Sequence, residues 1–176
     1  LGKLEIARKG VNRAINIEGH VPAIIHIDER KMVEGRFLNE QDMQKARKVI
    51  VIGERVKEEL FKPEDKIIGE RLKIRNSEYQ IVGVFAIEGG SGNNDDASNM
   101  IIMPLTTTQK ITNRPDEVSM FMFTVTDNYT VANLEDKLLG FLKNRLRVHP
   151  DDPRGFWFNN LEAEFEAVVN LFVGIR

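Results

Sequence analysis

The sequence predicts a mixed α+β fold, and three observations support this prediction. Short aliphatic runs typical of buried strands recur along the chain, the clearest of them at Val49–Ile52. Polar and apolar residues alternate over Arg71–Arg75, and a second strand-like run follows a turn at Tyr79–Phe85, which indicates a β-hairpin. Residues 131–146 repeat apolar side chains at the helical period. Strands therefore dominate the middle of the chain, and a long helix follows them.

The first quarter of the chain predicts two short strands and two further segments. Leu4–Ala7 and Ala14–Ile17 have strand character, and Lys9–Asn12 between them suits a hairpin turn. Ala23–Ile27 is a third apolar run. Glu34–Asp42 is polar and contains a glycine, so we expect a loop there.

The aliphatic run at Val49–Ile52 predicts a fully buried strand that ends at Gly53. Glu54–Phe61 predicts a short helix with an apolar face, and Pro63 ends that helix. The strand, glycine and helix resemble a nucleotide-binding turn in outline. A single glycine is not the Gly-x-Gly-x-x-Gly pattern, and no Gly-Lys-Ser/Thr follows, so a simple turn is the better interpretation.

The later part of the chain begins with a loop and three shorter elements. Glu88–Asp96 contains three Gly, two Asn and two Asp, which predicts a mobile loop that packs no core. Met100–Pro104 predicts a buried strand, Thr106–Ile111 a helical turn, and Met120–Val125 another strand.

The long helix predicted after these elements begins next to Thr130, which suits an N-cap. Its apolar face comprises Val131, Leu134, Leu138, Phe141, Leu142 and Leu146. Phe156–Phe158 then predicts a short aromatic strand, so this part of the chain is expected to be β-α-β.

Composition excludes several classes of function. The 176 residues carry a formal net charge of −2, with 41% hydrophobic and 30% charged residues, which is an ordinary globular balance. This charge gives no electrostatic case for binding nucleic acid. The chain has no cysteine, which excludes disulfides, zinc-thiolate sites and thiol nucleophiles.

No motif assigns a catalytic, cofactor-binding or metal-binding residue. His20 and His26 stand six residues apart, and His149 lies far from both in sequence, which matches no zinc spacing. Asp95 and Asp96 could offer oxygens to Ca²⁺ together with the neighbouring asparagines, but the EF-hand spacing and its closing Glu are absent. We therefore expect no enzyme activity and no cofactor in this domain.

The apolar stretch Ala167–Ile175 has two interpretations. It suits an amphipathic helix that docks on the core, or the opening of a longer apolar segment. No stretch reaches the ~20 apolar residues that a membrane span needs.

A series of short motifs resembles a known family. In order, the motifs are Glu34–Leu38, Asp42, Val49–Gly53, Leu60–Phe61, Ile68–Glu70, Ile81–Phe85 and Met103–Leu105. This series resembles the periplasmic core domain of MacB-type ABC transporter permeases, a group that includes lipoprotein-releasing and FtsX-like permeases. The resemblance runs from about Val11 to the end of the chain.

The resemblance implies an α/β subdomain that is split in sequence, similar to the porter modules of efflux pumps, with a mainly β subdomain inserted in it. The implied parts are residues 1–27 and 113–160 for the split subdomain, 28–112 for the insertion, and 161–176 for a helix that leads to a transmembrane segment. The family also has a further β-α-β unit before the region that resembles Leu4 onward, and this sequence departs from it there.

The resemblance further implies an extracytoplasmic domain of a membrane-anchored permease that couples ATP hydrolysis to export or extraction of a drug, peptide, lipid or lipoprotein. The implied partners are an ABC ATPase domain or subunit, a second permease copy and a periplasmic adaptor protein. The predicted mobile loop offers a partner contact through Glu88, Asn93, Asn94, Asp95 and Asp96. Two alternatives stay open: a module that regulates a periplasmic cell-wall enzyme, and a free periplasmic ligand-binding protein.

Overall fold

The computed structural model describes residues 1–8, 10–27, 30–87, 98–125, 131–149, 152, 155, 156 and 159. The chain divides into two compact units, Leu1–Met122 and Phe123–Arg176. The first unit contains the sheet and its short helices, and the described part of the second contains one longer helix. The mixed α+β fold predicted from the sequence is confirmed.

Seven strands form one sheet among the described residues of the first unit. They are β1 (Gly2–Arg8), β2 (Val11–His20), β3 (Arg30–Gly35), β4 (Val49–Gly53), β5 (Arg71–Ile74), β6 (Ser77–Ile87) and β7 (Met100–Pro104). The strand order is β1-β2-β7-β4-β6-β3, and β5 also pairs with β6. Residues 1–27 and residues 28–112, which the resemblance assigns to different subdomains, therefore contribute strands to the same sheet. The subdomain boundaries stay a prediction.

The helices are short in the first unit and longer in the second. A 3-10 helix spans Pro22–His26, and α1 (Glu40–Gln44), α2 (Glu54–Leu60) and α3 (Leu105–Thr112) follow it. In the second unit, α4 spans Val131–Leu146. No helix among the described residues is long and apolar enough to cross a membrane, and the predicted helix at 161–176 lies outside those residues.

The sheet mixes parallel and antiparallel pairs. β2 is parallel to β7, and β4 is parallel to β6, with α2 in the connection between β4 and β6. All other pairs are antiparallel, including the β1–β2 hairpin and the central β4–β7 pair. β3 lies at one edge of this order, and its pairing with β6 skips Val33, which forms a bulge.

The central strands are buried on both faces, because the sheet separates two apolar clusters. Ile50 and Ile52 of β4 belong to the first core, together with Val56 and Leu60 of α2. Alternate residues of β4 belong to the second core, which consists of Ile24, Phe37, Leu38, Val49, Val51, Phe85, Met100 and Ile102. A strand covered on both faces is apolar at every position, which explains the unbroken aliphatic runs at Val49–Ile52 and Met100–Met103.

A glycine in β6 allows the chain after β3 to lie against the sheet. The Arg36 backbone N–H donates to the Val82 carbonyl over 2.9 Å. A Cβ atom on Gly83 would stand 2.2 Å from the Arg36 carbonyl oxygen and 2.6 Å from the Met32 side chain. Gly35 takes φ +70°, a left-handed conformation that glycine adopts without strain. These contacts place Arg36 and the residues after it beside β6.

Most of the predicted elements are present. The β5–β6 hairpin, α2, α3, α4 and the strands at Val49 and Met100 agree with the prediction, and β1 and β2 are longer than expected. Ala23–Ile27 overlaps the 3-10 helix, where Pro22 stands in the first turn. Thr130, Trp157 and Phe158 lie outside the described residues.

Two predictions were wrong. The polar loop expected at Glu34–Asp42 contains the end of β3 and the start of α1, because an Asn39 cap starts that helix. The strand expected at Met120–Val125 is absent, and these residues have no regular secondary structure. No described strand of the sheet pairs with them, and strand propensity alone does not hold a strand without a neighbour.

We expect Gly83→Ala to destabilise the first unit by about 1–3 kcal/mol, because the added methyl group meets the Arg36 backbone. Gly140→Ala is the matched control: the same methyl group meets nothing within 4 Å in α4. There the change should stabilise the helix by roughly 0.5–1 kcal/mol. Urea unfolding followed by circular dichroism measures both, and equal effects would contradict the close approach at Gly83.

Candidate functional site

The loop predicted to contact a partner, with Glu88, Asn93, Asn94, Asp95 and Asp96, lies outside the described residues. Its flanks are described: β6 ends at Ile87, and the chain resumes at Ser98, just before β7. At these flanks the neighbouring strands place several polar side chains.

Polar residues of β2 lie near this base. Asn16 is paired with Met100 at the start of β7, and Glu18 is paired with Ile102. Side chains alternate along a strand, and Ile15 and Ile17 face the first core. Asn16, Glu18 and His20 therefore lie on the side of the second core. Together with Arg30 of β3, we name these residues the Glu18 cluster.

Short hydrogen bonds hold the Glu18 carboxylate. Asn16 Nδ2 donates to Glu18 Oε1 over 2.7 Å, and His20 Nε2 lies 2.8 Å from Glu18 Oε2. The hydrogen bond with His20 lowers the pKa of Glu18 below its ordinary value of 4.5. Partial burial opposes this shift, and the charges of His20 and Arg30 reinforce it. The cluster thus presents an ionised carboxylate whose side chain is 38% exposed.

Arg30 connects this cluster to the rim of the second core. Its guanidinium carbon stands 5.1 Å from the centre of the Phe85 ring, and its Nη1 lies 3.4 Å from Met100 Sδ. Asn99, the residue before β7, has a buried Oδ1 without a hydrogen-bond partner among the described residues. Buried amide oxygens are nearly always paired, so this atom is an unusual feature at the base of the loop.

The chemistry available to the Glu18 cluster is binding. A carboxylate and an amide oxygen can together accept hydrogen bonds from a cationic or donor-rich partner. No group of three or more His, Asp or Glu side chains that could hold a metal occurs in the described part of the chain. His26 and His149 are exposed, on the 3-10 helix and after α4 respectively. The backbone at Gly53 lies directly against Ser98, because a Cβ atom on Gly53 would stand 1.9 Å from the Ser98 carbonyl oxygen.

A second polar cluster, centred on the buried carboxylate of Asp42, fixes the chain after β3. Arg36 Nη1 donates to Asp42 Oδ2 over 2.7 Å, and Arg47 Nη1 stands 3.4 Å from Oδ1. Asp42 and Asn39 also form a capping box at the start of α1. Burial raises the pKa of Asp42, but the hydrogen bonds and charge of Arg36 outweigh it, so the pKa lies below its ordinary value of 3.8.

Threonines of α3 attach that helix to the same region. Thr106 Oγ1 donates to the Met43 carbonyl over 2.6 Å, and the buried Thr107 donates to the Arg47 carbonyl over 2.9 Å. Gly19 of β2 lets α3 pack closely, since a Cβ there would stand 2.3 Å from Thr108 Oγ1. The helix that follows β7 is thus fastened to both α1 and the sheet.

Arg8 forms a third cluster at the end of β1. Its Nη1 donates to the Leu60 carbonyl and to Asp65 Oδ2, both over 3.0 Å. Its guanidinium carbon lies 3.9 Å from the centre of the Phe61 ring, which suits a cation–π contact. Glu70 adds an ion pair at 3.6 Å. The arginine therefore connects β1 to the segment that follows α2.

Sequence reasoning missed all three clusters. The Asn39-x-x-Asp42 spacing is a capping-box pattern and could have predicted the role of Asp42. No local pattern marks Arg8, because its partners lie far away in sequence. Asn16 and His20 stand two residues from Glu18 on β2, so the alternation of polar residues along this strand could have pointed to that cluster.

Two solved structures have the same fold as this chain. The periplasmic region of MacB from Actinobacillus actinomycetemcomitans matches 96% of this chain and 72% of its own length, with a TM-score of 0.72 at 19% identity. The extracellular domain of the noncanonic ABC-type transporter YknZ from Gram-positive bacteria matches 84% of this chain and 73% of its own, with a TM-score of 0.62 at 10% identity. The fold is that of the extracytoplasmic domains of ABC transporters.

Sequence comparison then gives the family. The model of the MacB-like periplasmic core domain matches residues 4–140. The chain belongs to this family, a domain of transporter permeases and not a known catalytic family. The resemblance inferred from the motifs is thereby confirmed.

Curated relatives support the same conclusion. The macrolide export ATP-binding/permease protein MacB of Bdellovibrio bacteriovorus is 28% identical over 96% of this chain and 26% of its own length. The pyoverdine export ATP-binding/permease protein PvdT of Pseudomonas putida is 32% identical over 59% of this chain and 16% of its own length. The chain thus spans about a quarter or less of the length of these relatives.

We expect Asp42→Asn to lower the free energy of unfolding at pH 7 by about 1–3 kcal/mol, since it removes a buried acceptor of charged hydrogen bonds. In this variant, the free energy of unfolding should also decrease less steeply as the pH falls below 3.8. Because the folded-state pKa of Asp42 is lowered, its contribution is present above pH 3.8 and is lost as the pH falls through the lowered value. Urea midpoints measured from pH 7 down to about pH 2 test this.

Glu117→Gln is the control for this experiment. Glu117 pairs with Arg114 at 2.9 Å on the surface, with both side chains at least half exposed. Such pairs contribute little, so this variant should keep the acid limb of the parent protein. An unchanged acid limb in Asp42→Asn would contradict the lowered pKa.

We expect Arg8→Lys to lower the free energy of unfolding by about 1–2 kcal/mol, because an ammonium group cannot reproduce the forked hydrogen bonds and the ring contact. Arg13→Lys provides the control, since Arg13 is half exposed and pairs with Glu59 at 3.4 Å. Its effect should stay within roughly 0.5 kcal/mol. If the two lysine variants unfold at the same urea concentration, the role given to Arg8 is wrong.

Proposed function

We propose that this chain is the extracytoplasmic domain of a membrane-anchored ABC transporter permease that moves in response to cytoplasmic ATP hydrolysis and thereby drives export or extraction of a substrate. The domain contributes no ATPase chemistry and holds no cofactor in this proposal. The ATPase lies in another domain or subunit, and a second permease copy stands beside the first.

The relatives support the assignment of ATP binding to another part of the transporter. Both relatives described above are named ATP-binding/permease proteins, and this chain matches only 26% and 16% of their lengths. In this proposal, the ATP-binding function belongs to parts of such proteins that lie outside the matched region. Their names include macrolide and pyoverdine export, so we propose an exported substrate among drugs, peptides, lipids and lipoproteins.

The double-sided burial of the central strands is the observation that carries the mechanical part of the proposal. A domain that transmits a displacement must move as a rigid body, because a soft domain would absorb the motion. β4 and β7 are buried at every position and separate two packed cores. Well-packed interiors have low compressibility and transmit strain, so this sheet suits the task.

The ion pairs of the buried Asp42 carboxylate support stiffness in the chain beside the sheet. Asp42 joins Arg36 and Arg47, and Thr106 and Thr107 fasten α3 to the same region. α3 is the last helix before the chain continues into the second unit. A force that is transmitted along the chain to α3 would therefore reach the sheet through several hydrogen bonds.

The Glu18 cluster and the adjoining loop supply the proposed contact with an adaptor or substrate. The cluster is partly exposed and holds an ionised carboxylate at the base of the loop. Loops supported by a rigid scaffold commonly carry binding residues. In this proposal, Glu88, Asn93, Asn94, Asp95 and Asp96 extend that contact surface.

Electron paramagnetic resonance on the full-length polypeptide, assembled with its ATPase in lipid nanodiscs, tests the mechanical coupling. A spin label at Val33→Cys, on the exposed edge of the sheet, reports the distance between two permease copies. We expect ATP to shift this distance by roughly 5 Å or more in the active transporter, as in other domain rearrangements. In a variant whose ATPase cannot hydrolyse ATP, the distance between the two labels should stay at one value.

The internal control carries two labels on one chain, at Val33→Cys and at Lys73→Cys on the exposed side of β5. This distance should stay constant under all nucleotide conditions, because both sites lie on the same sheet. An unchanged distance between copies would contradict mechanical coupling, and a changed distance within the sheet would contradict its rigidity.

A further inference from the structure

Two arginines share the buried carboxylate of Asp42, so the positive charge of this cluster exceeds its negative charge. Arg36 Nη1 and Nη2 lie 2.7 and 3.3 Å from the two Asp42 oxygens, and Arg47 Nη1 lies 3.4 Å from Oδ1. The Asn39 backbone N–H also donates to Oδ2 over 3.1 Å. A carboxylate accepts about four hydrogen bonds. Asp42 is therefore saturated, while one of the two arginine charges stays unbalanced.

Arg47 is the more loosely held of the two arginines. Its only side-chain hydrogen bond to the described part of the chain is the one from Nη1 to Asp42. Arg36, in contrast, donates to both Asp42 oxygens and to the Phe37 carbonyl. The two arginine side chains are 43% and 40% exposed. An arginine carries five N–H donors in a planar fork, so Arg47 Nε and Nη2 can bind a ligand that arrives from solvent.

The backbone of Arg47 is nevertheless fixed. Its N–H donates to the Asp42 carbonyl over 2.9 Å, and its carbonyl accepts from Thr107 Oγ1 over 2.9 Å. Ala46, just before it, takes φ +42°, a conformation in which a helix end usually has glycine. A ligand at Arg47 would therefore order a side chain and no loop, which keeps the entropy cost of binding small.

The surrounding side chains add to the positive charge. Residues 36–48 contain four basic residues, Arg36, Lys45, Arg47 and Lys48, against two acidic ones, Glu40 and Asp42, whereas the whole chain has a net charge of −2. Lys45 and Lys48 are exposed, and neither forms an ion pair with any described residue. Lys48 Nζ donates to a neutral group, the Ser77 hydroxyl, over 3.0 Å. The segment thus has a local surplus of cations on a weakly acidic protein.

The first turn of α3 reinforces this surplus. Thr106 and Thr107 of that turn donate to the carbonyls of Met43 and Arg47. The N-terminus of a helix carries a partial positive charge, and no acidic residue stands in the first turn of α3 to balance it. An anion near Arg47 would therefore be attracted by the helix end as well as by the side chains.

We propose that Arg47, with Arg36 beside it, binds the oxyanion group of a small ligand, either a carboxylate or a phosphate. Planar guanidinium groups bind both kinds of oxyanion through paired N–H donors. Asp42 acts as a positioning residue, since it holds the two arginines next to each other. This inference goes beyond the proposed function, because coupling to ATP hydrolysis requires no anion site in this domain.

A membrane surface is a weaker ligand than a small oxyanion. Basic segments that bind membranes combine cations with exposed apolar side chains. In residues 36–48 the large apolar residues Phe37 and Leu38 are buried in the second core instead. The segment therefore offers charge and hydrogen-bond donors without an apolar anchor, which suits a small polar group.

Arginine modification of the full-length polypeptide, in nanodiscs of zwitterionic lipid, tests the proposal. Phenylglyoxal modifies arginine side chains, and mass spectrometry of the peptides gives the rate at each arginine. The rate is measured in inorganic phosphate, in acetate and in chloride at equal ionic strength. Arg13 is the matched control within the same molecule, because it is half exposed and pairs with Glu59 at 3.4 Å. Glu58 and Glu59 balance the charges of Arg13 and Arg55 there.

We expect phosphate or acetate to slow the modification of Arg47 roughly threefold or more relative to Arg13, because a bound oxyanion occupies its donors. The same rate at Arg47 in oxyanion and in chloride would overturn the proposal. Equal slowing at Arg13 would overturn it too, since the effect would then belong to any exposed arginine. Slowing that requires anionic lipid in the nanodisc, with no effect of phosphate or acetate, would assign the site to the membrane and overturn the proposal.

A pair of lysine substitutions tests the local charge surplus separately. Lys45→Gln combined with Lys48→Gln should raise the phosphate concentration that half-protects Arg47 about twofold or more, because it removes the unbalanced cations near the site. Lys3→Gln combined with Lys73→Gln removes two exposed lysines from β1 and β5 as the control and should change nothing. An equal effect of both pairs would contradict the site. These results do not depend on the distance between permease copies, so the anion site and the proposed function can each fail alone.

Discussion

The first unit depends on the burial of β4 and β7 on both faces. These two strands pair at the centre of the sheet, and their alternate side chains enter two different cores. α2 covers one face, while the 3-10 helix and the Phe37–Leu38 segment cover the other. Because each cover depends on the sheet and the sheet on both covers, loosening one face would expose apolar surface on two layers. The polar clusters then fix the covers in place, through Asp42 on one segment and Arg8 on another.

How far the sequence predicts this structure depends on whether the signal is local. Val49–Ile52 and Met100–Pro104 were predicted as strands, because double-sided burial makes the positions of a strand apolar. The β5–β6 hairpin was predicted because one turn joins its two strands. β3 was missed, since Arg30–Gly35 has only three half-buried positions and a bulge interrupts its alternation. The Met120–Val125 strand was wrong because strand propensity counts only where a neighbouring strand is present.

The candidate site, too, is predicted from the sequence only where its signal is local. A loop at Glu88–Asp96 is predicted from composition, but the position of the Glu18 cluster beside it depends on β2 lying next to β7, which no local pattern predicts. Asn16, Glu18 and His20 read as an ordinary polar face of a strand until the parallel pairing brings Met100 beside them. Likewise, Arg8 and Asp65 are 57 residues apart in sequence and meet only in the folded chain. Long-range contacts of this kind are the part of a binding surface that a single sequence conceals.

The bulge at Val33 has a consequence for how copies of this domain meet one another. An edge strand exposes unpaired backbone groups that can recruit the edge of another molecule and begin aggregation. In β3 the bulge twists the strand locally, and charged residues flank it at Lys31 and Glu34. Two copies of this domain that meet at β3 would therefore be poor partners for a continuous sheet, because the bulge and the charges disfavour pairing there. The same irregularity that hid β3 from sequence reasoning keeps each molecule separate from the next.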